Sequence, residues 1–247
     1  MSPKAAPPPR QSEQEKRAAD RRERVRLEQQ RKTRPRRVLV AGVAVAVIAL
    51  TIVLVVVLTG SPSTPSATFS IATHPFTPGT QAIMSISKPP WPLPTNAANN
   101  IAAAGLQVLG AETLTVHYHA HLDVIVNGKP VTVPAEVGFD IVNGTPIGLS
   151  SLHTHDTSGI MHIESSTKVP FELGQFFTEW GVRLSPSELG GLADGGGKVL
   201  RTYVDGHLFG GDPSTILLQR HEEIALWYGP ASQKPNVPSS YQFPAGL

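Results

Sequence analysis

The segment Leu152-His153-Thr154-His155-Asp156-Thr157-Ser158-Gly159-Ile160-Met161-His162-Ile163-Glu164 places imidazoles and carboxylates at spacings of two. On an extended strand, successive side chains leave opposite faces. His153 therefore shares a face with His155, and His162 shares one with Glu164. Asp156, Thr157, Ser158 and Gly159 are turn formers, since short polar side chains bond the local backbone and Gly tolerates positive φ. A two-residue Thr157-Ser158 loop would pair His155 with Ile160 and set His153 opposite His162. His153, His155, His162 and Glu164 would then lie on one side of a hairpin. Directly opposed Cβ atoms are about 4.5–5.5 Å apart, close enough to share a metal ion. A turn one residue longer would flip one strand and break the arrangement.

A second stretch, Val116 to Val126, separates into two faces. Tyr118, Ala120, Leu122, Val124 and Val126 are apolar. His117, His119, His121 and Asp123 form the other face. Six of the nine histidines thus lie in two strand-like segments. Strand-borne His-x-His makes a good chelate because both rings leave one side of a stiff backbone. Three protein ligands plus an open position is the usual catalytic arrangement for zinc. The expected ligand set is His153, His155 and His162, completed by His119 or His121, with His117 and Glu164 as further donors. Glu164 could also, like Asp156 and Asp123, orient a ligating imidazole from outside or act as a general base. One shared site is simpler than two. Imidazole and carboxylate donors suit Zn²⁺, Cu²⁺, Ni²⁺, Fe²⁺ or Mn²⁺, with Zn²⁺ and Cu²⁺ foremost. The opposing expectation is a hydrogen-bonded sheet surface that holds no metal.

Several chemistries are excluded or disfavoured. Cysteine is absent, which removes disulfides, thiolate zinc sites, iron–sulfur clusters, Cys-ligated copper, a thiol nucleophile and a lipid-linked cysteine. Three methionines are too few for a thioether copper relay. Neither Gly-x-Ser-x-Gly nor His-Glu-x-x-His occurs, and no Glu follows either His-x-His at the spacing of a cupin barrel. The glycine-rich stretch from Ala193 to Lys198 lacks the Gly-Lys-Ser/Thr ending of a phosphate loop.

The segments that must position these residues begin with an anchor. Val38 to Leu58 is uncharged, with Thr51 its polar interruption. As a helix it spans the roughly 30 Å hydrocarbon layer. Its length and charged lead favour an uncleaved signal-anchor over a cleaved signal peptide. Residues 1–37 hold 13 Lys and Arg against five Asp and Glu, so the basic side is expected in the cytoplasm, against anionic lipid, and residues 59–247 outside. The remaining 210 residues are acidic, so the pI of 9.0 describes the tail, and no nucleic-acid partner is expected. Residues 59–104 read as a Pro/Ser/Thr-rich stalk containing a short helix from Asn96 to Ala104. Residues 105–229 read as the folded outer domain, and 230–247 as a Pro-rich tail.

Within the outer domain the expected class is mainly β or α+β, built of antiparallel β-hairpins with one amphipathic helix. Leu114–Val126 should be a strand, and Asn127-Gly128 a type I′ turn because both positions need positive φ. Val131 and Val133 should begin the return strand between Pro130 and Pro134. Gly138–Val142, Val199–Val204, His207–Phe209, Ile216–Leu218 and Glu223–Tyr228 should follow as strands. Phe171, Leu173, Phe176, Phe177 and Trp180 recur at helical spacing up to Gly181 and should be core. Ser185-Pro186-Ser187-Glu188 has the pattern of a helix start.

The stretch from His117 to Gly229, with its His-Thr-His-Asp…His-Ile-Glu segment and Phe-Phe-x-x-Trp-Gly helix end, resembles an uncharacterised family of membrane-anchored bacterial proteins. That resemblance implies a tethered outer domain and implies no reaction. Three functions stand at this point: a domain that holds or senses a transition ion, a metal-dependent enzyme on the same ligands, or a metal-free structural or interaction module.

Overall fold

The computed structural model describes residues 67–112 and 115–247, and its central element is β1 (Val116–Val126). The basic tail and the Val38–Leu58 segment lie outside the described residues, as does Leu114. Among the described residues no helix is long and apolar enough to cross a membrane. At the end of β1, Asn127 and Gly128 take φ of 51° and 76°, as a type I′ turn requires. The chain returns as β2 (Lys129–Val131), antiparallel to Val124–Val126. Pro130, expected just before this strand, lies inside it.

Three further hairpins follow. β3 (Phe139–Val142) and β4 (Thr145–Leu149) pair across Asn143-Gly144. β5 (Leu152–His153) and β6 (Ile160–Ser165) carry the His-rich segment. β10 (Lys198–Val204) and β11 (His207–Phe209) turn at Asp205-Gly206. The last strand, β12 (Glu223–Pro230), lies between β10 and β1. The main sheet runs β11-β10-β12-β1-β6-β5, with β2 also on β1. One expectation of wholly antiparallel pairing fails, because β1 and β12 are parallel, with His121 beside Glu223. They are distant in sequence, so no short turn constrains their direction.

Two local expectations are corrected. Ser185–Glu188 does not start a helix. β7 (Leu184–Ser185), β8 (Glu188–Leu189) and β9 (Leu192–Ala193) form a small meander instead. Only a few residues separate Pro186 from Gly190, too few to offset helix nucleation, and pairing buries Leu189 completely. Ile216–Leu218 follows a 3-10 turn at Pro213–Thr215 and makes isolated bridges to Ile71 and Glu172 rather than a strand of a sheet.

The apolar face of the sheet, including Ala120, Leu122, Val124, Met161, Ile163, Ile224 and Leu226, forms one core cluster with Phe171, Leu173, Phe176, Phe177 and Trp180. Most of the latter belong to α2 (Leu173–Trp180), whose period-3.6 apolar residues face the sheet. Gly181 ends the helix at φ 71°, and the Gln175 side-chain amide oxygen accepts the Glu172 N–H at its start (3.0 Å). Each large side chain buried this way contributes about 1.5–3 kcal/mol. Ala67–Leu247 is one compact unit, so residues 67–104, read as stalk, pack within it. Trp91 is buried and meets Trp180 edge-to-face at 5.8 Å. α1 (Ala97–Ala103) is held by Asn100, whose side-chain N–H groups donate to Ile83 and Thr178 carbonyls.

Candidate metal centre

The antiparallel register sets His119 of β1 against His162 of β6, and His162 against His153 of β5. Three imidazoles therefore lie side by side across three neighbouring strands. One step along the ladder, His117 faces Glu164. The predicted opposition of His153 and His162 is present. The predicted pairing of His155 with Ile160 is not, since Ile160 pairs with His121 and β5 ends at His153. Residues 154–159 form a longer loop. Thr154 anchors it, its hydroxyl donating to the Pro134 carbonyl (2.8 Å) and accepting from Val137 N–H (3.1 Å). The loop returns His155 toward the row, with its Nε2 3.2 Å from His153 Nε2.

A second nitrogen pair, His119 Nε2 and His162 Nδ1, is also 3.2 Å apart. A tetrahedral ion with bonds of 2.0–2.1 Å holds its ligand atoms roughly 3.3–3.4 Å from one another. Glu164 Oε1 lies 3.4 Å from His117 Nε2 and 3.7 Å from His153 Nε2. Glu112, on an exposed segment, reaches His155 Nε2 at 3.2 Å. Potential ligand atoms fall within 4.8 Å of one another in three overlapping groups: His117, His119 and His162; His153, His155 and His162; and Glu112, His153 and Glu164. These groupings are close enough to hold a metal ion.

Electrostatics keep the rings ready to donate. Burial, reinforced by neighbouring imidazoles, lowers His119 and His153 to about 4 and His162 to about 3. All three are neutral at pH 7. The His153 Nδ1–H donates to the Ser150 carbonyl at 3.0 Å, which leaves the Nε2 lone pair pointing at His155. Such a carbonyl partner is the usual way a ligating imidazole is oriented. The Ser150 hydroxyl in turn bonds the Glu179 carboxyl, whose pKa burial pushes well above the ordinary range. Phe139 packs edge-on against His153 and His155, with centroids 5.6 and 5.7 Å away. The outer rim is open: the His155 and Glu112 side chains are 41% and 48% exposed.

Of the residues singled out in the sequence, His117, His119, His153, His155, His162 and Glu164 come together. His121 and Asp123 do not join them. They form a separate group with Glu223. Asp156 belongs to neither group. It caps its own turn, accepting the Ser158 N–H at 2.8 Å, and hydrogen bonding to the Ser158 side chain, then to its backbone, lowers its pKa. Glu112, Ser150 and Glu223 escaped sequence reasoning. Nothing periodic marks the first two, and Glu223 matters only through the parallel pairing. No protein-family model, no curated protein and no solved structure matches the chain.

Proposed function

We propose that the His-rich face binds a divalent transition metal ion, Zn²⁺ or Cu²⁺, in a domain tethered outside the cell membrane by Val38–Leu58. His153, His155 and His162 form the primary set, with His119, His117 and Glu164 beside them. The observation that carries this reading is the pair of 3.2 Å nitrogen–nitrogen separations among four imidazoles, three of them buried. Two such pairs match the edge of a tetrahedral coordination shell. A solvated His surface has no need of either. The absence of cysteine makes the site purely nitrogen and oxygen, which suits borderline ions.

A second reading, a metal-dependent enzyme on the same ligands, is favoured by the open rim. There an ion could keep one position for water, and Glu112 is placed to accept a proton. The metal reading is tested by elemental analysis of the full chain, purified in detergent without a polyhistidine tag, beside His153→Ala/His155→Ala. Near-stoichiometric Zn or Cu in the parent and its loss in the variant are expected. No metal in either protein after incubation with Zn²⁺ or Cu²⁺ and desalting overturns both readings and leaves the metal-free module.

A further inference from the structure

His121 and Asp123 sit on the same face of β1 as His117 and His119, yet their surroundings differ. β12 supplies Glu223 across the parallel ladder. Glu223 Oε2 is 2.7 Å from His121 Nδ1. The opposite ring nitrogen, Nε2, donates to the Ser158 carbonyl at 2.8 Å. A carbonyl can only accept, so Nε2 carries a hydrogen; Nδ1 shares a proton with Glu223 Oε2, and a metal ion would displace that proton to take Nδ1. Gly159 fixes that carbonyl: it takes φ +87°, and a Cβ there would come within 2.6 Å of the Leu122 carbonyl and 3.0 Å of the His121 ring.

Glu223 is fully buried, and its Oε1 has no hydrogen-bond partner. Asp123 adds a second carboxylate, and ligand atoms of His121, Asp123 and Glu223 lie within 4.8 Å of one another. Among the described residues no Lys or Arg forms a salt bridge with either acid. His121 engages only Oε2, and the buried Oε1 beside the Asp123 carboxylate is costly unless a cation or a shared proton joins the two acids. The C-terminal segment closes over the group. Tyr241 lies flat on His121, centroids 3.7 Å apart and planes 9° from parallel.

We infer that His121 Nδ1, Asp123 and Glu223 form a second, oxygen-rich site for a harder divalent ion of the Mn²⁺ type, distinct from the His-rich centre and covered by Tyr241. One imidazole with two carboxylates is a donor set that shifts preference from copper toward manganese. The carbonyl-anchored ring supplies the orienting partner expected of a ligating histidine.

The test is a Mn²⁺ titration of the chelator-stripped full chain in detergent, followed by electron paramagnetic resonance, for the parent, Asp123→Asn and His162→Ala. One bound Mn²⁺ is expected in the parent and in His162→Ala, with affinity falling at least about tenfold in Asp123→Asn. In the parent alone, bound Mn²⁺ should broaden the NMR signals of the Tyr241 ring before those of His155, a readout that needs no variant to fold. The assignment is overturned if the parent binds no Mn²⁺, if Asp123→Asn binds it unchanged, or if His162→Ala abolishes it. It is likewise overturned if His155 broadens first. The remaining structure is then a buried ion pair between His121 and Glu223. Neither result bears on Zn²⁺ or Cu²⁺ at the His-rich centre.

Discussion

β1 presents His117, His119, His121 and Asp123 on one face, but its two halves face different chemistry. Toward its start, β6 and β5 bring His162, His153 and Glu164, and the result is a bank of imidazoles. Further along, β12 brings Glu223, and the result is one ring between carboxylates. The neighbouring strand, rather than the spacing along β1, decides what each histidine can do. The protonation tendencies diverge accordingly. Burial lowers His119, His153 and His162. Burial would lower His121 too, but the Glu223 carboxylate and the Ser158 carbonyl outweigh it and raise its pKa.

The largest expected effect separates the two halves directly. His162 belongs to both all-imidazole groups, so His162→Ala should cost the His-rich centre more than about 100-fold in Zn²⁺ affinity, beyond the 10–100-fold typical of outer-shell changes. Competition with a chromophoric chelator measures it. Equal Zn²⁺ retention would place the ion elsewhere.

A second contrast is pH. For the metal-stripped protein, the unfolded chain holds its histidines near 6.5 while His119, His153 and His162 stay near 3–4 when folded. The unfolded state therefore binds more protons between those values. Stability should be full above about pH 6.5 and fall as pH drops toward 4. His121 has the opposite sign: its raised folded pKa contributes stability below 6.5 that is lost as pH rises through the folded value. Denaturant midpoints across pH 4–8 should show the acid loss dominating, and His162→Ala should flatten it. A flat acid limb in the parent would remove the neutral-cluster description.

The smallest effect concerns the cover. Tyr241→Ala removes an aromatic stack of about 0.5–1.5 kcal/mol. It should weaken Mn²⁺ binding by only about two- to tenfold and leave Zn²⁺ at the His-rich centre unchanged, both by calorimetric titration. An equal loss at both would mean that the tail supports the whole face.

Much of this was legible because it is local. Alternation placed His117, His119 and His121 on one face, Asn127-Gly128 marked a real turn, and the aromatic spacing before Gly181 marked α2 and its core residues. The opposition of His153 and His162 followed from the hairpin. The parts that were illegible depend on partners far away in sequence. Glu223 reaches His121 across 102 residues. Tyr241 comes from a segment whose proline content suggested a loose tail. Loop length was the intermediate case: the turn formers from Asp156 to Gly159 were recognised, but Thr154 ends β5 earlier by bonding Pro134, which no local pattern announces.

The parallel seating of β12 has a consequence for how the chain comes into being. Donors of the His-rich centre from β1 to β6 are all present by residue 164, and its closest β1–β6 pairing joins residues 43 apart. The carboxylate partner of His121 arrives some sixty residues later, and its cover later still. Pairings of high sequence separation form slowly because loop closure must be offset first. During N- to C-terminal synthesis, an ion could therefore be captured at the His-rich centre while the second half of β1 still lacks its neighbour, and the order in which metals are met could decide which half each one fills.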